Sequence, residues 1–235
     1  MSHNRLFLSG LFLSVIILFS CQKVFSQTKD AGLWTGIRLN YDISEKLNLS
    51  FEEEIRFFEN FSRLDKYYSE IGLSYEINKN VEIGAFYRYS SIKNPYINYS
   101  HYHRFHTEII LKSEFKRYSF SFRSRFQSKY TDPYVSDNGM IPKDYSRNKL
   151  AVSYNIRKLP LTPYASYELF YQLNNPDGNV FDKSWMTIGV KYRFKNRDRL
   201  SIYYRLSQDH NINNPLNLNI LGIGYNIKIN NKLKR

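Results

Sequence analysis

The stretch YSFSFRSRFQSKY, residues 118–130, alternates apolar and polar side chains almost without a break. Tyr118, Phe120, Phe122, Phe126 and Tyr130 share one face, and Ser119, Ser121, Arg123, Arg125, Gln127 and Lys129 share the other. Side chains alternate across a strand with period two, whereas an amphipathic helix needs a 3.6-residue repeat, so the stretch predicts a two-faced strand. The aromatic face then has two possible settings. In a soluble sandwich it packs on a second sheet; in an outer-membrane barrel it meets lipid while the Arg/Ser face lines the lumen.

The same period recurs on both sides of this segment. Ile37, Leu39, Tyr41 and Ile43 oppose Trp34, Arg38, Asn40 and Asp42, and Phe51, Ile55 and Phe57 oppose Glu52, Glu54 and Arg56, with Glu53 interrupting the apolar face. Tyr67, Ile71, Leu73, Tyr75 and Ile77 oppose Tyr68, Glu70 and Glu76; Val81, Ile83, Ala85, Tyr87 and Tyr89 oppose Glu82, Phe86 and Arg88. Phe105, Ile109 and Leu111 oppose Arg104, His106, Glu108 and Lys112. Beyond residue 130, apolar faces are marked by Leu150, Val152 and Tyr154, by Ala165, Tyr167, Leu169 and Tyr171, by Met186, Ile188, Val190 and Tyr192, by Leu200, Ile202, Tyr204 and Leu206, and by Leu221, Ile223, Tyr225, Ile227 and Ile229. Glu168, Arg193 and Arg205 take the opposite faces.

Strands of about ten residues are long enough to cross a bilayer when tilted. Short connections at Ser44, Asn78, Ser113, Lys158 and Lys195 alternate with longer ones, the rhythm of a transmembrane barrel with tight periplasmic turns and longer external loops. The turn at Asn78–Asn80 is assigned to the tolerance of Asn for a left-handed backbone. The pattern predicts an all-β chain: a single up-and-down antiparallel transmembrane β-barrel. About eleven strands are marked. A bacterial barrel is expected to have an even number with both termini on the periplasmic side, so ten to twelve are expected. In such a barrel Arg38, Glu52, Glu54, Arg56, Glu70, Glu76, Glu82, Arg88, Arg104, Glu108, Arg123, Arg125, Glu168, Arg193 and Arg205 line the lumen. They either fill it as an ion-pair network or border a solute path.

Residues 1–26 read as an export signal: Arg5 in a polar start, an apolar run from Leu6 to Phe19, and the small Ser26 before Gln27. Cleavage after Ser26 leaves 27–235 as the barrel domain. The only cysteine, Cys21, lies in Leu-Phe-Ser-Cys, and is either a lipidation site or discarded with the leader. With cleavage at Ser26, disulfides and thiol chemistry are excluded.

Aromatic residues make up 17% of the chain, with 21 Tyr and 17 Phe, an excess suited to strands and to bilayer interfaces. The formal charge of +13 is spread over almost every strand instead of clustering, which argues against nucleic acid. Lipopolysaccharide, outer-membrane lipid and small anionic solutes are the expected counterparts, and the barrel-assembly machinery of a Gram-negative envelope the expected insertion partner. No cofactor or metal is expected: His101 and His103 share a strand face, but no cysteine or placed carboxylate joins them. No catalytic constellation is expected either. Asp209, His210 and Asn211 resemble part of an outer-membrane phospholipase site, but position 212 is Ile where that family has serine. A lipid hydrolase and a soluble periplasmic ligand-binding barrel or sandwich remain the alternatives.

The Leu33-Trp34 strand, the acidic-then-Arg strand FEEEIRFF and the successive YEI and AFYRY strands resemble the domain-of-unknown-function family 2490. The resemblance spans nearly the whole mature chain. It implies an exported outer-membrane barrel and carries no catalytic or ligand residues.

Overall fold

The structure, a computed structural model, describes residues 28–93, 99–131, 141–212 and 215–230. The leader and Cys21 lie outside them. Eleven strands are present, and no helix among the described residues: β1 (Thr28–Asp42), β2 (Leu47–Phe58), β3 (Arg63–Asn78), β4 (Val81–Lys93), β5 (Tyr99–Phe115), β6 (Tyr118–Thr131), β7 (Lys143–Tyr154), β8 (Leu161–Gln172), β9 (Val180–Arg193), β10 (Arg199–Asp209) and β11 (Leu216–Asn230).

Consecutive strands pair antiparallel, and β1 closes the barrel against β11 in parallel. The all-β barrel and a count within the expected ten to twelve are borne out, while the parallel closure replaces the even, wholly antiparallel sheet expected of a bacterial barrel. An up-and-down chain reverses at every strand, so eleven strands leave the first and last pointing the same way. β1 therefore begins at one end of the barrel and β11 finishes at the other, in contrast to the expected common side for both termini. Glycines recur along the seam: Gly36 faces Gly224, and Gly222 faces Trp34.

One end, here the hairpin end, carries connections 43–46, 79–80, 116–117, 155–160 and 194–198; the other, the loop end, carries 59–62, 94–98, 132–142, 173–179 and 210–215. The expected strict alternation of short and long holds only loosely, because 59–62 is as short as 43–46. The polar run ENFSRLDK reads as a loop, yet Arg63 to Lys66 belong to β3. Glu59, Asn60 and Phe61 all have positive φ, and the Asp30 carboxylate accepts the N–H groups of Glu59 at 3.0 Å and Asn60 at 3.1 Å, which holds that tight turn. At 79–80 the reason for the turn also differs from expectation. Neither Asn78 nor Asn80 is left-handed; the Asn78 side chain instead accepts the N–H groups of Asn80 at 2.8 Å and Val81 at 3.0 Å.

Because the side-chain period is two, every strand turns one face outward. Phe120 is 47% exposed and Phe126 51%, while Arg125 between them is 8% exposed. Ile37, Ile71, Phe105, Ile109, Leu150, Met186, Ile188 and Ile202 join the outer apolar face. Tyrosines flank it: Tyr118 opens β6 at the hairpin end and packs on Tyr154, and Tyr130 lies near the loop end. The protein therefore has an inverted interior, with Glu70, Arg88, His106, Glu108, Arg125, Gln127, Arg147 and Glu168 buried inside.

Candidate functional site in the barrel lumen

One row of cross-strand neighbours is charged over seven consecutive strands: Arg38, Glu52, Glu70, Arg88, Arg104, Lys129 and Lys143, on β1 to β7. All point inward. Residues directly opposite on antiparallel strands bring their Cβ atoms within about 4.5–5.5 Å, so opposite charges there pair and like charges repel. Arg38 is ion-paired with Glu52 and stands 3.9 Å from Glu70. Glu70 receives Arg88 Nε at 2.6 Å and Arg104 Nη2 at 3.0 Å. Tyr68 donates its hydroxyl to Glu52 at 2.5 Å and lies under the Arg88 guanidinium at 3.4 Å from the ring centroid. Glu54 pairs with Arg56 at 2.6 Å, and Arg56 stacks on Trp34 at 3.5 Å.

A second network crosses β5 to β8. Arg125 donates to Glu108 at 2.5 Å and 2.8 Å. Arg123 at 2.7 Å and Arg147 at 2.8 Å converge on Glu168, and Arg147 also donates to Gln127 at 3.0 Å. Between the two networks, His106 stacks on Phe86 with ring centroids 4.7 Å apart. Phe86 lies flat because Gly72 and Gly84 leave the wall bare beneath it; a Cβ on Gly72 would stand 1.9 Å from the Phe86 ring. Aromatic and cationic side chains fill the remaining section. Trp34 and Trp185 meet edge to face at 5.5 Å, Phe170 packs on Trp185 at 4.7 Å, and Arg205 lies 4.4 Å over Trp185 while donating to Thr187 at 3.0 Å.

Below this filling, the hairpin end opens into a polar vestibule of about 1010 Å³ that reaches inward to Arg38, Phe86 and Glu108. Its wall on β3 to β5 carries Glu76, Glu82 and Glu108, and its wall on β10 and β11 carries Arg199 and Lys228. Glu82 is paired with Lys112 at 2.5 Å, and Lys228 with Asp42 at 3.0 Å. At the rim, Asp198 accepts the Lys228 N–H, the Tyr225 hydroxyl at 2.9 Å and the Asn196 amide at 2.6 Å; the Lys228 N–H leads in holding its carboxyl below the usual range.

Of the residues assigned to the lumen from the sequence, Arg38, Glu52, Glu54, Arg56, Glu70, Arg88, Arg104, Glu108, Arg123, Arg125, Glu168 and Arg205 meet in the filled section. Glu76 and Glu82 stand in the vestibule, and Arg193, at the end of β9, is exposed. The sequence reading overlooked Arg147, Lys66 and Lys149, which share the inward period of their strands, and Phe170, an aromatic residue on an inward face. Arg147 and Lys149 were legible from their alternation with Leu150 and Val152.

His101 and His103 face outward, hydrogen-bonded to Tyr89 at 2.7 Å and Tyr87 at 2.8 Å. His210 stands next to a serine that the local sequence does not suggest: Ser184 Oγ on the neighbouring strand is 2.7 Å from His210 Nε2, and Ser184 is 2% exposed. Among the described residues no group of three His, Cys, Asp or Glu is placed to hold a metal ion.

No curated protein matches the chain. The profile of the family described as "Protein of unknown function (DUF2490)" matches residues 31–219, from the start of β1 into β11. The chain belongs to the DUF2490 family.

Proposed function

We propose that the chain is an outer-membrane β-barrel, shut at rest, with a structural role and a small-solute vestibule. The observation that carries this reading is the filled lumen above an open polar vestibule. Arg38, Glu52, Glu70, Arg88 and Arg104 span the interior from five strands, and the aromatic groups around Trp34 and Trp185 occupy what remains. A barrel of this size has a narrow interior that side chains can fill. The outward apolar face flanked by tyrosines matches a bilayer's hydrocarbon and its two interfaces. Residues 1–26 supply the export signal. With the tight turns on the periplasmic side, the vestibule opens to the periplasm, and the ion-paired row separates it from the outside. Lipid and lipopolysaccharide surround the outer wall, and a small solute path forms only when the row parts.

Fractionation tests the location. The protein is expected to stay with the outer membrane through a carbonate wash and to need detergent for release; release by carbonate alone would contradict the proposal. Liposomes carrying the barrel should swell no faster in small sugars and amino acids than empty liposomes, and rapid swelling would contradict a shut lumen.

A second reading rests on the Ser184–His210 contact, a nucleophile beside a base. Wild-type protein turning over phospholipid, with the activity lost in Ser184→Ala and His210→Ala, would favour a lipid hydrolase. The burial of Ser184 leads us to expect no turnover.

A further inference from the structure

Past Glu70, the charged row continues as Arg88, Arg104, Lys129 and Lys143 on the adjacent strands β4 to β7. Four like charges stand side by side at inward positions, answered among the described residues by a single carboxylate. Glu70 takes both Arg88 and Arg104. Among the described residues neither Lys129 nor Lys143 has an ion-pair partner, and Lys66 on β3 faces the same space without one. Most of the other described carboxylates in this half are engaged, although Asp182 Oδ1 is buried without a donor and Asp65 lies near Lys66 outside ion-pair distance. Glu54 holds Arg56, Asp209 holds Lys183 at 3.1 Å, Asp182 accepts the Tyr145 hydroxyl at 2.7 Å, and Asp30 accepts backbone N–H groups. Two donors point to a missing acceptor. Arg104 Nε is buried with no acceptor, and the Lys129 ammonium rests 3.9 Å from the Tyr102 ring centroid, a contact that leaves its N–H groups available.

Adjacent like charges destabilise a sheet, and buried donors without acceptors cost more. Both costs disappear when an oxyanion with two or more negative charges sits among them, since guanidinium and ammonium groups are the side chains that bind phosphate. We infer that the loop-end half of the lumen is a binding site for a small, multiply charged oxyanion of the phosphate class, held by Arg104, Lys129 and Lys143 with Lys66 opposite. The vestibule at the other end, where acidic and basic walls face each other, takes no part in it.

The test uses the full chain in zwitterionic micelles, titrated with inorganic pyrophosphate at constant ionic strength and followed by calorimetry. Saturable one-to-one binding is expected, weakened about tenfold in Lys129→Gln and again in Lys143→Gln, by the loss of one charged hydrogen bond each. Neither lysine is held by an ion pair among the described residues and Lys129 only caps the Tyr102 ring, so both variants should fold, as checked by heat-modifiable gel mobility. Lys112→Gln, at the vestibule, should bind as wild type does. Absence of saturable binding overturns the inference, as does equal binding in Lys129→Gln or an equal loss in Lys112→Gln. Repeating the titration in vesicles with and without phosphatidylglycerol separates two sources of the oxyanion. Competition by the anionic lipid assigns the site to a lipid phosphate, and unchanged binding assigns it to a free ion.

Discussion

The arc from Arg38 to Arg88 and the arc from Arg104 to Lys143 belong to one row of neighbours, yet their charge balance is opposite. On β1 to β4, two arginines meet two glutamates, and every charge has a partner. On β5 to β7, only Arg104 of the three cations meets a carboxylate, and that one, Glu70, is shared with Arg88. A barrel that used charge only to fill its lumen would have balanced both arcs. The contrast separates a structural half, where removing a residue should cost stability, from a ligand-seeking half, where it should cost binding.

Glu70→Ala should break the comparison most severely. It leaves Arg88 and Arg104 buried without their counter-charge, and losing one partner of a buried ion pair costs about 3–5 kcal/mol. Urea unfolding in micelles, followed by Trp34 and Trp185 fluorescence, measures it; a loss below about 1 kcal/mol would mean that water already screens the row. Next comes Gly72→Ala. The new Cβ would stand 1.9 Å from the Phe86 ring, so the ring must leave its stack on His106. Overpacking of this kind costs about 1–3 kcal/mol, and Phe86→Leu in the same chain should recover much of it. Lys129→Gln belongs to the other arc and should change stability by no more than about 0.5 kcal/mol, or raise it slightly as repulsion from Arg104 and Lys143 is relieved. A loss as large as that of Glu70→Ala would erase the distinction between the arcs.

The smallest effect is expected outside the row, at Asp198. Its carboxyl is held below the ordinary range, first by the Lys228 N–H and then by Tyr225 and Asn196. A folded pKa below the unfolded one contributes stability that is complete above the ordinary carboxylate value of about 3.9 and fades as pH falls through the folded value. The stability difference between wild type and Asp198→Asn should therefore be flat near neutral pH and shrink under acid. A difference that grows under acid would contradict the assignment.

The fold was legible because period-two alternation survives in nearly every strand, and the strand at Tyr118–Tyr130 carries it with least interruption. The inward face of Arg123 and Arg125 followed from that period alone, and their carboxylate partners Glu108 and Glu168 come from strands whose faces were equally clear. Closure was not legible. Which strands meet at the seam is a pairing between Thr28–Asp42 and Leu216–Asn230, and no local pattern in either segment declares it. The start of β7 was obscured for a different reason: Ser146 and Asn148 are polar on its outer face, so the alternation fades there. The contact between Ser184 and His210 depends on the register of β9 against β10, which sequence spacing does not reveal.

The central claim is that the neutral arc shuts the lumen, and planar-bilayer conductance tests it most directly. Wild-type barrel should insert without steady current steps. The double variant Arg38→Ala and Glu52→Ala, which removes one complete ion pair beside the vestibule and leaves no new unbalanced charge, should give discrete open levels. Steady wild-type steps of the same size as those of the double variant would contradict the claim.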